Sequence, residues 1–138
     1  FTAASKVPQV LSDFVTTMQV APLVILIGIL IIYLFLGCLM PAIPMLLLTV
    51  PIFYPAVIAL GYNPIWFGVL VTLMFEMAVI TPPMGINVLA MPTVVKDVSL
   101  ADMFRGITPF LLAMVAGVII LIVFPQIPLI LPYLFGMK

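Results

Sequence analysis

Charged side chains are rare along this chain, and long apolar runs separate them. The full set is Lys6, Asp13, Glu76, Lys96, Asp97, Asp102, Arg105 and Lys138. No Asp, Glu, Lys or Arg occurs between residues 14 and 75, and Glu76 stands alone within an apolar run. Because a membrane-spanning helix needs about 20 apolar residues, this pattern predicts several helical passes through a bilayer.

Residues 1–20 are mildly polar and predict an amphipathic helix in the membrane interface. Apolar side chains recur on one side of it at helical spacing, at Val7, Val10, Leu11, Phe14 and Val15. A frayed terminal segment is the alternative. The chain starts at Phe1 without a methionine or a signal-peptide pattern, so we interpret it as a fragment of a longer protein.

Residues 21–60 predict a re-entrant helical hairpin. An apolar helix over residues 21–36 would be roughly 24 Å long, which is shorter than a hydrocarbon core of about 30 Å. Residues 37–44 contain a glycine and two prolines but no charge, which favours a turn buried at membrane depth with its tip near Gly37. Residues 45–60 then return to the starting side. Two ordinary spanning helices joined by a tight apolar turn are the alternative.

Residues 61–95 predict a spanning helix that is interrupted midway. The interruption has the sequence Thr81-Pro82-Pro83-Met84-Gly85, and a second half helix follows from Ile86. The two prolines remove two amide donors, Pro82 drives Thr81 out of the helical conformation, and Gly85 can adopt a positive φ. In a bilayer such a break is tolerated only where protein buries it or where it lines a cavity, so we expect function here.

The remainder of the chain predicts a short aqueous connection, one more span and an interfacial tail. The connection covers residues 96–106, in which Ser99 and Asp102 form a variant of the capping box. Residues 107–125 form the last transmembrane helix, and residues 126–138 lie along the far interface. The predicted fold class is therefore an all-α membrane protein.

The break predicts a site for a cation and for a carboxylate. The carbonyls of Val79, Ile80 and Thr81 carry the negative end of the first half-helix dipole, and sodium is a hard cation that prefers oxygen. The Thr81 hydroxyl can add a ligand. The second half helix points amide donors at the same centre, where Asn87 can also bond a carboxylate. A proline kink that only packs is the alternative.

Glu76 is the one carboxylate inside the predicted spans. An acid in a membrane is a functional candidate, here as a proton carrier, as a partner supporting the break, or as a gate. A neutral acid that bonds to a neighbouring helix is an equal alternative. The sequence leaves the two interpretations of Glu76 open.

Composition excludes several classes of function. With 67% hydrophobic and 6% charged residues, the chain is an integral membrane protein, and its zero net charge leaves no basic patch for nucleic acid. It has no histidine, and Cys38 is the only cysteine, which excludes disulfides and thiolate or imidazole metal sites within the chain. No catalytic pair and no phosphate-binding Gly-x4-Gly-Lys motif occur, so we predict neither an enzyme nor an organic cofactor. A structural or channel-forming membrane module without ion coupling is the rival to a transporter.

Several motifs, taken in order, carry a resemblance to a known family. They are Leu36-Gly37, Thr49-Val50-Pro51-Ile52-Phe53-x-Pro55, Glu76-x4-Thr81-Pro82-Pro83-x-Gly85-x-Asn87, Phe104-Arg105-Gly106, Pro109-Phe110, Phe124-Pro125 and Leu131-Pro132. Together they resemble the large membrane subunit of tripartite ATP-independent periplasmic (TRAP) transporters. The resemblance covers nearly the whole chain. It departs from the family pattern at Pro41, where we would expect an acidic residue after the hairpin glycine.

The resemblance implies an elevator-type secondary transporter of the bacterial inner membrane, with several passes and two inverted repeats. This chain would be the C-terminal repeat, and sodium would drive uptake of a carboxylate such as a C4-dicarboxylate or a sialic acid. The implied partners are the N-terminal repeat, a small membrane subunit, a periplasmic solute-binding protein and the lipid bilayer. The expected ion and substrate residues are Gly37, Ile80, Thr81, Pro82, Gly85 and Asn87, with sodium at Ile80 and Thr81.

Overall fold

The computed structural model describes residues 6–17, 20–81, 90–91, 94 and 97–136. Within these ranges it contains six helices and no strand. The helices are α1 (Val7–Thr17), α2 (Pro22–Leu39), α3 (Ala42–Ala59), α4 (Pro64–Ile80), α5 (Leu100–Val123) and α6 (Ile127–Leu134). The all-helical fold class is therefore confirmed for the described part of the chain. By length and composition, α2 and α5 are each able to cross a membrane.

Helix α1 lies along α3. Two side chains of its predicted apolar side, Val10 and Phe14, are more than half exposed in this arrangement. The sequence predicted the helix but not its neighbour, because amphipathic spacing does not identify the surface that a helix packs on. Its location in a membrane interface stays a prediction.

The turn between α2 and α3 is shorter than the sequence predicts. Helix α2 continues through Gly37 and Cys38 to Leu39, and α3 already begins at Ala42, so only Met40 and Pro41 separate the two helices. The prediction of a turn over residues 37–44 is wrong for this reason. At about 27 Å, the 18-residue α2 is too long for its length alone to favour a re-entrant hairpin over a spanning pair.

Glycine and proline take different roles at this corner from those that the turn prediction gave them. Gly37 lies against α4 and stays helical. A glycine inside a helix ends the helix only where the chain needs a positive φ. Pro41 caps α3 in an extended conformation, and Pro44 falls in the first turn of α3, where no amide donor is needed. The helix boundaries follow from these positions.

Helix α4 forms the centre of the fold and contacts α2, α3, α5 and α6. A turn and a cap fix its start: Gly61 has a φ of 85°, the Asn63 side chain accepts a hydrogen bond from the Ile65 amide at 2.8 Å, and Pro64 occupies the first helical position. Its buried side chains are Trp66, Phe67, Leu70, Val71, Met74, Met77 and Ala78. The core is therefore built around this helix.

Helix α5 begins at Leu100, within the segment predicted as an aqueous connection, rather than at residue 107. The Ser99 hydroxyl donates to the Asp102 carboxylate at 2.6 Å and accepts from the Asp102 amide at 3.2 Å, which confirms the predicted capping interaction. This cap sets the start of the helix, and the charges of Asp102 and Arg105 in its first turns do not delay it. Pro109 consequently lies inside α5.

Helices α4 and α5 are antiparallel, and one hydrogen bond joins the start of α4 to the end of α5. The Trp66 indole N–H donates to the Leu121 carbonyl at 2.7 Å. In a continuing helix that carbonyl would accept from residue 125, which is a proline without an amide hydrogen. Trp66 thus satisfies a carbonyl that Pro125 leaves without a donor, and this contact sets the alignment of the two helices.

Candidate functional site

The candidate site lies at the end of α4. The helix ends at Ile80, and Thr81 is extended, with φ −84° and ψ 135°. This confirms that Thr81 leaves the helical region before Pro82, as the clash with a following proline requires. The predicted site residues Pro82, Gly85 and Asn87 lie outside the described residues, as does most of the second half helix.

The two prolines decide what happens to the last carbonyls of α4. Because residues 82 and 83 have no amide hydrogen, they cannot serve as the helical donors for Ala78 and Val79. The Ala78 carbonyl instead accepts from the Cys38 thiol, at 3.6 Å, and from the Thr81 amide, at 3.3 Å. The two prolines therefore leave two carbonyls at the end of α4 without their helical donors, and the Cys38 thiol of α2 bonds one of these carbonyls.

Thr81 uses only part of its hydrogen-bonding capacity. Its hydroxyl donates to the Met77 carbonyl at 2.5 Å. A hydroxyl that donates its one proton keeps its oxygen lone pairs, which can coordinate a cation. Thr81 and Ile80 are both half-buried, so a cation bound here would exchange part of its hydration for protein oxygen. The geometry is compatible with the predicted roles of these two residues, which stay predictions.

The predicted hairpin glycine lies at the same place. Gly37 is buried, and a Cβ added to it would lie 2.6 Å from the Ala78 Cβ and 3.5 Å from the Met45 sulfur. Real Cβ atoms do not approach a neighbour as closely as 2.6 Å, so only glycine fits between α2 and α4. The structure thus brings together the end of α2, the start of α3 and the end of α4.

Cys38 continues this contact. It is buried and free, and its thiol is bonded to the Ala78 carbonyl as described above. It behaves as a small apolar residue with one weak hydrogen bond. The chain's only thiol is therefore part of the contact between α2 and the end of α4.

Glu76 lies on a different face of α4. Its side chain is exposed, whereas Met77 and Ala78 are buried and Phe75 is half-buried toward Gly37. Within the described residues no salt bridge or hydrogen bond engages its carboxylate, so the interpretation as an acid bonded to a neighbouring helix finds no partner there. A role as a support for the break or as a gate stays a prediction.

A cleft of about 250 Å³ adjoins the site on the α5 side. Its lining consists of Ile80 together with Ala101, Phe104, Arg105, Ile107, Thr108 and Leu111. Sequence reasoning missed Arg105 because it assigned residues 96–106 to a connection, and it gave Thr108 no role within the predicted last span. The Ser99 cap was the available signal, since a helix starting at Leu100 places residues 105 and 108 on one face.

Metal ligands of the usual protein kind do not cluster in this region. Within the described residues, no three His, Cys, Asp or Glu side chains come together. A cation at the end of α4 would have to rely on backbone carbonyls and hydroxyls. Such ligands suit a weakly held, exchangeable hard cation.

Comparison with known proteins gives a consistent result over most of the chain. The family model described as "Tripartite ATP-independent periplasmic transporter, DctM component" matches residues 1–127. The chain is 37% identical over 133 residues to the sialic acid TRAP transporter large permease protein SiaM of Vibrio cholerae, which covers 96% of the chain and 31% of that protein. No solved structure matches the chain.

Two further relatives carry other substrate names. The C4-dicarboxylate TRAP transporter large permease protein DctM of Pseudomonas aeruginosa is 31% identical over 133 residues, which cover 96% of the chain and 31% of the relative. The ectoine TRAP transporter large permease protein TeaC of Halomonas elongata is 33% identical over 129 residues, which cover 92% of the chain and 30% of the relative. The chain therefore spans less than a third of the length of these relatives.

Proposed function

Because this chain belongs to the family of the DctM component of tripartite ATP-independent periplasmic transporters, we propose that it is the C-terminal part of a sodium-coupled secondary transporter subunit that takes up carboxylates. The relatives' names describe permeases, which supports a transport function rather than an enzymatic one. Their names include sialic acid, C4-dicarboxylates and 2,3-diketo-L-gulonate, and all of these are carboxylates at neutral pH.

The observation that carries the proposal is the meeting of the α2–α3 corner with the carbonyl end of α4. Gly37 and Cys38 contact Ala78 at the point where Pro82 and Pro83 deprive α4 of two amide donors. A helix C-terminus with uncovered carbonyls is a favourable place for a cation, and discontinuous helices hold coupling ions in secondary transporters.

In the proposed site, sodium is held by the Ile80 and Thr81 carbonyls and by the Thr81 hydroxyl. The substrate carboxylate is held from the other side, by the amides at the start of the second half helix near Gly85 and by Asn87, with Pro82 fixing the break. Such donors favour a negative group. Pro41 at the corner supplies no carboxylate to this site, so in our proposal the charge of sodium is balanced by helix dipole and by substrate.

The proposed architecture is one of two inverted repeats of an elevator-type transporter, with α2 and α3 as a re-entrant hairpin. The other proposed components are the N-terminal repeat, a small membrane subunit and a periplasmic solute-binding protein. The proposed location is the bacterial inner membrane, with several passes. The relatives' printed names support the permease assignment, and the length of the relatives beyond this chain leaves room for a second repeat.

Replacing Thr81 with valine tests the ion site. The change keeps the side-chain shape and removes one oxygen ligand, so half-maximal uptake should require about fivefold more sodium, which corresponds to roughly 1 kcal/mol. The measurement is substrate uptake against sodium concentration by the complete transporter in vesicles, with membrane insertion checked for each variant.

Thr72 provides a matched control on the same helix. Its hydroxyl also donates to the carbonyl four residues earlier, at 2.9 Å, but it is exposed and lies away from the break. Thr72→Val should therefore leave the sodium dependence unchanged. If both variants behave like the wild type, the hydroxyl of Thr81 is not a ligand, and if both shift equally, the effect comes from the lost helix bond.

A further inference from the structure

The cleft between the end of α4 and the first turns of α5 contains the only arginine in the chain, Arg105. Its walls are otherwise apolar apart from Thr108, and Ile80 forms its side toward the break. Among the described residues no carboxylate lines the cleft. The Arg105 side chain is exposed at the cleft, so its guanidinium is accessible to an anionic partner.

Neighbouring groups do not supply that partner within the described residues. Asp102 lies one turn earlier, but its carboxylate accepts from the Ser99 hydroxyl at 2.6 Å and forms no salt bridge with Arg105. The Thr108 hydroxyl donates to the Phe104 carbonyl at 3.0 Å, so its proton is already used. The guanidinium of Arg105 is therefore the polar donor that the cleft offers to a ligand.

We infer that Arg105 binds the carboxylate of the transported substrate, in a subsite next to the broken helix. This inference rests on the proposed function. The planar guanidinium matches a carboxylate with two parallel hydrogen bonds, a pairing that a lysine ammonium does not reproduce.

The dimensions of the cleft fit one end of a substrate. Its volume of about 250 Å³ is below the 300–1,000 Å³ or so that is typical of pockets for whole small molecules. Ile80 belongs both to this lining and to the proposed sodium site. A carboxylate bound to Arg105 would thus lie beside the ion that drives its transport.

The test uses the complete transporter in vesicles, with labelled sialic acid, succinate and ectoine as probes. For each probe that the wild type accumulates, Arg105→Gln should raise KM about tenfold, as expected for the loss of a charge-assisted bond to a carboxylate. Arg105→Lys should recover part of the lost affinity, because lysine keeps the positive charge but cannot form the two parallel hydrogen bonds of the guanidinium. At saturating substrate, the sodium concentration for half-maximal uptake should stay unchanged in both variants.

Lys6→Gln is the matched control, since it removes an exposed cation elsewhere in the described chain and should leave KM unchanged. A lipid phosphate has the same oxyanion chemistry, so each variant is compared in vesicles of phosphatidylcholine alone and with added phosphatidylglycerol. A raised KM in both compositions supports the inference.

Two outcomes would overturn the inference while leaving the proposed function intact. One is an unchanged KM for Arg105→Gln in both compositions. The other is an effect of the substitution only when phosphatidylglycerol is present, which would assign Arg105 to a lipid. Uptake of none of the probes by the wild type, or uptake that is indifferent to sodium, would contradict the proposed function itself and this inference with it.

Discussion

Gly37→Ala is expected to abolish transport while the protein still inserts into the membrane. The added methyl group would lie 2.6 Å from the Ala78 Cβ, so α2 and the end of α4 must move apart. Overpacking of this kind costs about 1–3 kcal/mol, and here the separation falls where the α2–α3 corner meets the proposed ion site. The measurement is uptake in vesicles, with membrane expression and thermal unfolding recorded for the same preparation.

Two further variants test whether the loss comes from this close contact or from any glycine-to-alanine change in α2. Gly28→Ala lies on the same helix with nothing within 4 Å of the added Cβ, and it should transport normally. Adding Ala78→Gly to Gly37→Ala removes the methyl group on the other side and should restore part of the uptake. Equal loss in the Gly28 variant, or no rescue in the double variant, would show that the close contact is not the cause.

Replacing Pro82 and Pro83 together with alanine is expected to abolish transport without destabilising the fold. Two restored amides can donate to the Ala78 and Val79 carbonyls, so α4 can continue past Ile80. In a continued helix the amides of residues 84 and 85 would donate to the Ile80 and Thr81 carbonyls, so the proposed sodium site would lose these ligands. Thermal unfolding should stay level or rise, because alanine favours a helix by about 3 kcal/mol over proline in a helix interior.

Two other prolines provide controls for this variant. Pro64 occupies the first position of α4, where no helical donor is required, and Pro109 lies inside α5. Pro64→Ala and Pro109→Ala should both retain uptake. Normal uptake by the double variant at Pro82 and Pro83 would mean that the interruption is not needed for transport, and the account of the site would be wrong.

The sequence predicted those features that are encoded by a few adjacent residues. Pro82 fixes the end of α4 at Ile80 through a local clash. The Ser99 cap on α5 was likewise identified from its spacing to Asp102. In each case the cause and the effect lie within one helical turn.

The features that the sequence did not predict depend on contacts between distant segments. Gly37 and Cys38 look like the start of a turn, yet they remain helical because they pack against Ala78 on α4. The cleft at Arg105 likewise requires the antiparallel alignment of α4 and α5. Apolar membrane helices carry little information about their neighbours, since nearly all faces are apolar.

The most direct test of sodium-coupled uptake uses the wild-type transporter. Uptake of labelled sialic acid, succinate and ectoine is measured under an inward sodium gradient and under an equal potassium gradient. We expect at least one of these probes to accumulate with sodium and none to accumulate with potassium. Equal uptake under both gradients would show a passive or differently driven membrane protein and would contradict the account.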